Sequence, residues 1–145
     1  LLAYAPTIGM EVRVQEDYGL KDFVRHVAGD IDHRCAYCYE HRLEGTAKYA
    51  AEHGFTAFTS TLLASTYQNH EAIAAAAEMY ARQYGVEFLY RDFRSNFRAG
   101  NQRARELGFY MQKYCGCVFS EADRYQKQID RDRAKFDAEE AARQG

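Results

Sequence analysis

The chain has 145 residues, 47% of them hydrophobic, which is enough for one ordinary core and so for a single domain spanning 1–145. Its formal net charge of −2 shows neither a strongly basic nor a strongly acidic balance, so charge alone excludes neither an RNA nor a small-molecule partner. No apolar run approaches the roughly 18 residues that span a bilayer, and no basic-then-apolar leader opens the chain, so a soluble protein without a membrane partner is expected.

Taken in chain order, the first candidate element is a short strand, Met10-Glu11-Val12-Arg13-Val14. Next comes Cys35-Ala36-Tyr37-Cys38, whose sulfurs are spaced to share one face of a helix start or tight turn. That spacing serves metal ligation, structural zinc included, or dithiol redox chemistry. His33, two residues upstream, is a candidate ligand or a support for one. A helix from about Cys38 to His53 is predicted by Tyr39, Leu43, Ala47 and Ala50 on one side, with Gly54 as its stop. Phe55–Thr59 then reads as a strand, and a second helix from Asn69 to Tyr84 carries Ile73, Ala76, Ala77, Tyr80 and Tyr84 at helical spacing, with Asn69 as N-cap and Gly85 at the end. Val86–Tyr90 reads as another strand. Strands alternating with helices imply βαβ units, hence an α/β fold with a parallel sheet and helices on both faces. In such a sheet, ligands bind beyond the carboxyl ends of the strands. Thr59, Ser60, Thr61 and the loop Ser65-Thr66-Tyr67-Gln68 fall there, as does Arg91-Asp92-Phe93-Arg94.

Between Arg91 and Lys113 six cations face only two carboxylates, and aromatic residues are interleaved with them, a mixture able to hold phosphates and stack on splayed bases. Cys115-Gly116-Cys117 follows, so that all four cysteines of the chain fall in two close pairs. A disulfide across a single glycine would be strained and easily reduced. From Ser120, read as an N-cap, a C-terminal helix over 120–145 carries a thin apolar stripe of Tyr125, Ile129 and Phe136 and should pack by one edge. No glycine-rich phosphate loop and no nucleophilic serine elbow is present, so neither nucleoside triphosphate chemistry nor serine hydrolysis has support. Unmodified thiols without a secretion signal fit the cytoplasm.

Four blocks of this sequence resemble the QueH-type epoxyqueuosine reductases over nearly the whole chain. They are Arg34-Cys35-x-x-Cys38-Tyr39-x-x-Arg42-Leu43; Phe58-Thr59-Ser60-Thr61-Leu62-Leu63-x-Ser65-x-Tyr67-Gln68-x-His70; Tyr90-Arg91-Asp92-Phe93-Arg94; and Gln112-Lys113-Tyr114-Cys115-Gly116-Cys117-x-x-Ser120. The resemblance implies an oxidoreductase of tRNA processing that converts the epoxide of epoxyqueuosine in a tRNA anticodon loop to queuosine, with an electron donor it does not identify. It also implies a [4Fe-4S] cluster with Cys35 and Cys38 among its ligands. Cys115 and Cys117 are implied either as a redox-active dithiol or as part of a second, mononuclear iron centre. Asp92 becomes the candidate metal ligand or proton donor and Tyr114 a further candidate acid, while Arg91, Arg94, Arg98 and Lys113 are candidates for the tRNA phosphates. The family pattern also opens with a strand ending in cysteines that has no counterpart here, and the chain starts at Leu1 without Met. The expectation is therefore an N-terminally truncated domain that lacks its first strand and some cluster ligands, and that is inactive or unable to hold its native cluster. The alternative reading is a non-catalytic RNA-binding domain in which all four cysteines hold one zinc. A thioredoxin-like oxidoreductase has less support, since nothing near Cys35 resembles its usual strand-to-helix setting.

Overall fold

The computed structural model describes residues 1–144. After a 3-10 turn at Ala5–Ile8, the chain forms α1 (Leu20–Val27), α2 (Arg34–Glu52), β1 (Ala57–Phe58), α3 (His70–Tyr84), β2 (Glu87–Phe88), α4 (Phe97–Glu106) and α5 (Val118–Gln144), with further 3-10 turns before α2, α3 and α4. It is a mixed α/β domain: a small parallel sheet flanked by helices, followed by a long C-terminal helix.

The core is built by periodicity. On α2, Tyr39, Leu43, Ala47 and Ala50 form one buried stripe; on α3, Ile73, Ala77 and Ala81 form the facing one. Alanine on both stripes lets the two helices lie close together, and Leu43, Leu63 and Ile73 are fully enclosed between them and the sheet. Each such side chain contributes about 1.5–3 kcal/mol by leaving water. Asn69 accepts a hydrogen bond from the Ala72 N–H at 3.0 Å, and Gly85, at φ 68°, closes α3 in the left-handed conformation that glycine tolerates best. Both were legible as the cap and the stop.

The strands run parallel, pairing Ala57 with Glu87 and Phe58 with Phe88, and α3 is their crossover. Only one side chain of each strand is buried; the two phenylalanine rings meet at 5.5 Å. The ladder extends through Glu87 N–H to Thr56 O and Leu89 N–H to Phe58 O, both 2.8 Å. Regular strand is shorter than the predicted five-residue runs because Phe55, 57% exposed, and Tyr90, 50% exposed, have no apolar layer to cover them.

Four expectations need correction. Met10–Val14 is not a strand: Met10 and Val14 are exposed, and Glu11 and Arg13 pair with each other along the segment, so no neighbouring strand or core layer holds it extended. Helix α2 starts at Arg34, not Cys38, because Asp30 caps the preceding turn by accepting from the His33 N–H. Helix α5 starts at Val118, two residues before Ser120, which therefore sits inside the first turn. Nor does α5 pack by an edge: every residue from Glu121 to Arg143 is exposed, and Ile129 and Phe136 are 53% and 62% accessible. It is a solvated helix with its thin apolar stripe exposed, laced by side-chain pairs one turn apart such as Gln126 to Asp130 at 2.7 Å and Gln128 to Asp132 at 2.8 Å. Gly145, the last residue of the expected tail helix, lies outside the described residues. Among the described residues, no helix is long and apolar enough to cross a membrane.

Candidate functional site at the paired cysteines

Cys35 and Cys38 occupy the first turn of α2, three residues apart and so on one face. Cys117 immediately precedes α5; its carbonyl accepts the Glu121 N–H at 3.0 Å, which makes it the cap residue. Both pairs therefore stand at or beside helix N-termini. Gly116 joins the second pair at φ 88°, a conformation suited to glycine, and a Cβ there would meet the Gln112 amide at 3.2 Å. Ser120 does not cap its own helix but reaches back, its hydroxyl 3.2 Å from both the backbone nitrogen and the sulfur of Cys115.

A single arginine joins the two helix starts. Arg34, first residue of α2, donates to Asp123 of α5 at 2.6 Å and to the Ile31 carbonyl at 3.0 Å, and its guanidinium lies 5.8 Å from the centre of the Phe119 ring. Desolvation works against its charge, but the Asp123 carboxylate and the sulfurs of Cys35 and Cys117 outweigh it and hold the proton more firmly. Partial burial pushes the Cys35 thiol up; Arg34 opposes this, and the sulfurs of Cys115, Cys38 and Cys117 add to it. The two pairs thus share one electrostatic neighbourhood across 80 positions of sequence. All four are free cysteines, with Cys35 and Cys115 exposed and Cys38 and Cys117 half-buried.

The shared neighbourhood is not a ligand shell. Among the described residues no group of three or more His, Cys, Asp or Glu side chains is placed to hold a metal ion. A [4Fe-4S] cluster normally takes four thiolates, so the expected cluster, the second mononuclear iron and the four-cysteine zinc of the alternative reading do not fit these residues as arranged. The cysteines come near one another without converging. His33 is no ligand either: its Nδ1 lies 2.8 Å from Asp30, and that hydrogen bond raises its pKa.

The other sequence candidates fall along the carboxyl edge of the sheet. Asp92 binds Arg94 through both oxygens, at 2.9 and 2.6 Å, and also accepts the Arg94 N–H. These bonds hold its carboxyl well below the usual carboxylate range. The Arg94 bonds therefore favour its charged form over the protonated form that donation would need. Tyr114 is pushed up by its hydrogen bond to Glu121 and retains its proton. Arg91, Arg98 and Lys113 are exposed, with no carboxylate within ion-pair distance among the described residues, whereas Arg94 is committed to Asp92.

Sequence reasoning missed two polar connections. The buried Tyr39 hydroxyl donates to Gln68 at 2.7 Å and accepts the Asn69 N–H at 3.1 Å, tying the loop before α3 to the helix that carries Cys38. His70, 92% buried by its 8% exposure, has Nε2 2.9 Å from the Tyr90 hydroxyl while its Nδ1 finds no partner. The positions were visible, since Tyr39 directly follows Cys38 and His70 follows Gln68 by two; what each hydroxyl and ring would meet was not.

Two pairs of free thiols at neighbouring helix starts, on a domain with a small parallel sheet, define a thiol-bearing α/β domain. The family described as "Epoxyqueuosine reductase QueH" matches residues 1–123, and the chain belongs to that family. Among curated relatives of that description, the protein of Dehalococcoides mccartyi is 37% identical over 120 residues, covering 83% of this chain and 66% of its own length. That of Thermotoga maritima is 38% identical over 104 residues, 70% of this chain and 54% of its own. That of Streptococcus pyogenes is 32% identical over 114 residues, 74% and 45%. The chain thus spans less than two thirds of the length of the relatives it matches. Residues 124–144 of α5 lie beyond the family match.

Proposed function

We propose that this protein acts in the reduction of epoxyqueuosine in tRNA, removing the epoxide oxygen as water to leave the cyclopentene of queuosine. What carries the reading is the meeting of two cysteine pairs at clamped helix starts in a chain that belongs to a reductase family. Deoxygenation of an epoxide needs two electrons and two protons. A dithiol supplies both: Cys115 and Cys117 give up two hydrogens and form a disulfide, both epoxide C–O bonds break, a C=C bond forms, and the oxygen leaves as water. A thiol-class reductant must then restore the pair, and the strain expected across Cys115-Gly116-Cys117 makes that return easy.

Cys35 and Cys38 serve beside them as a second dithiol, able to accept the disulfide by exchange. Burial raises the Cys35 pKa, so the thiolate needed for that exchange forms less readily there than at an ordinary thiol. Asp92 orients Arg94, and Arg91, Arg98 and Lys113 neutralise tRNA phosphates. The chemistry belongs in the cytoplasm, where thiols stay reduced.

The test is an anaerobic single turnover on tRNA carrying epoxyqueuosine, with free thiols counted before and after. Two thiols should be lost per queuosine formed, and Cys115→Ser or Cys117→Ser should abolish both changes. Queuosine made without thiol loss, or made by either serine variant, overturns the dithiol mechanism.

A further inference from the structure

An aromatic side chain stands almost free in water beside the site. Tyr67 is 86% exposed, although it belongs to a loop fixed at three points: its N–H donates to Ser65 Oγ at 3.2 Å, and the next two residues are held by the Tyr39 hydroxyl. A large ring on an ordered loop gains nothing for the fold by facing solvent. Among the described residues its aromatic neighbour is Phe97, first residue of α4, met edge to face with ring centres 5.9 Å apart and planes at 77°. That contact sets the orientation of the ring and leaves most of its surface open.

The surroundings say what the open ring fits. The turn after β1, Thr61–Ala64, lies against the turn after β2, Arg94–Asn96, so the Tyr67 loop and the basic segment form one surface at the carboxyl edge of the sheet. Arg98 follows Phe97 directly and, like Arg91, has no carboxylate partner among the described residues. An exposed ring on the same surface as a segment that carries unpaired arginines matches a flexible polyanion with accessible π-faces, which is single-stranded nucleic acid. Tyr39 adds direction, because it anchors this loop from the position next to Cys38.

We propose that Tyr67 is the stacking platform for an unpaired base of an RNA loop, with Arg98 and Arg91 on the adjacent phosphates, and that it holds the strand beside the thiols. The proposal rests on the reductase reading for the identity of the partner but not for the existence of the surface.

The experiment measures binding of the intact chain to three probes over a range of salt: an end-labelled RNA hairpin with an unpaired loop, a blunt RNA duplex of the same charge, and an oligoglutamate peptide. Stacking of one base predicts about a tenfold loss of hairpin affinity for Tyr67→Ala, near wild-type affinity for Tyr67→Phe, and no change in salt dependence for either. Arg98→Gln should instead flatten the dependence of log affinity on log salt by about 0.7 for the phosphate it releases. Duplex binding should be indifferent to Tyr67. Equal hairpin affinity for wild type and Tyr67→Ala overturns the stacking role and leaves the dithiol chemistry standing, since that is judged by thiol counting. Failure of the wild-type chain to bind the hairpin, or oligoglutamate binding with the same dependence on Tyr67, overturns the assignment to RNA.

Discussion

The two cysteine pairs stand on unequal ground. Cys35 and Cys38 belong to α2, which supplies Tyr39, Leu43, Ala47 and Ala50 to the core, whereas Cys115 and Cys117 precede α5, which contributes no buried residue among those described. The first pair is positioned by hydrophobic burial and the second by a few polar contacts, chiefly Arg34 to Asp123 and Ser120 to Cys115. A rigid half and a tethered half suit a site in which one pair must stay fixed while the other changes its bonding. They also mean that the two halves fail under different insults.

The largest effect should come from the core. Leu43→Ala leaves a cavity under both α2 and α3 and should destabilise the domain by about 2–5 kcal/mol, read as a drop in denaturation midpoint; a smaller loss than Arg34→Ala would invert the contrast between the halves. Arg34→Ala should cost only about 1 kcal/mol, because Asp123 is 69% exposed and screened by water. Yet alkylation of Cys117 should quicken several-fold as the α5 start comes away, and unchanged reactivity would show that the clamp does not hold it.

The pH dependence sharpens the same contrast. Alkylation requires the thiolate, so the rate at Cys35 should rise with pH through a midpoint above that of free cysteine. Cys117→Ser removes a neighbouring sulfur that discourages ionisation, so it should lower that midpoint; a rise would mean the pairs do not sense each other. The smallest effect should follow from ending the chain after Gln128. Without buried contacts to lose, the melting temperature of the domain should stay within about a degree, and a large drop would reveal packing by α5.

Much of the interior was readable because it is periodic. The buried stripes of α2 and α3, the Asn69 cap and the Gly85 stop each follow from residue spacing within one element. Helix α1 went unpredicted, although Leu20, Phe23, Val24 and Val27 repeat at helical spacing. Met10–Val14 misled for the opposite reason: alternation promises a strand only when a neighbouring strand accepts its hydrogen bonds, and that condition is not local. The site was legible as chemistry but not as geometry. The pairing of C-x-x-C with C-x-C announced that thiols matter, and they do lie near one another. Whether four sulfurs converge within bonding range of one ion depends on tertiary placement to a fraction of an ångström, and here they do not. Likewise Asp92 looked available until Arg94 was seen to occupy both of its oxygens.

Helix α5 is 27 residues long, so it extends about 40 Å from its root at 1.5 Å per residue. Among the described residues its contacts with the rest of the molecule lie in its first turns, such as Asp123 to Arg34 and Tyr125 to Tyr114, so the Cys115–Ser120 turn is placed as the fulcrum of a lever. A tilt of about 5° there would sweep the far end by roughly 3.5 Å over that length. Any change of covalent state at the two sulfurs that tilted the helix would therefore be magnified at a tip far from where it occurred.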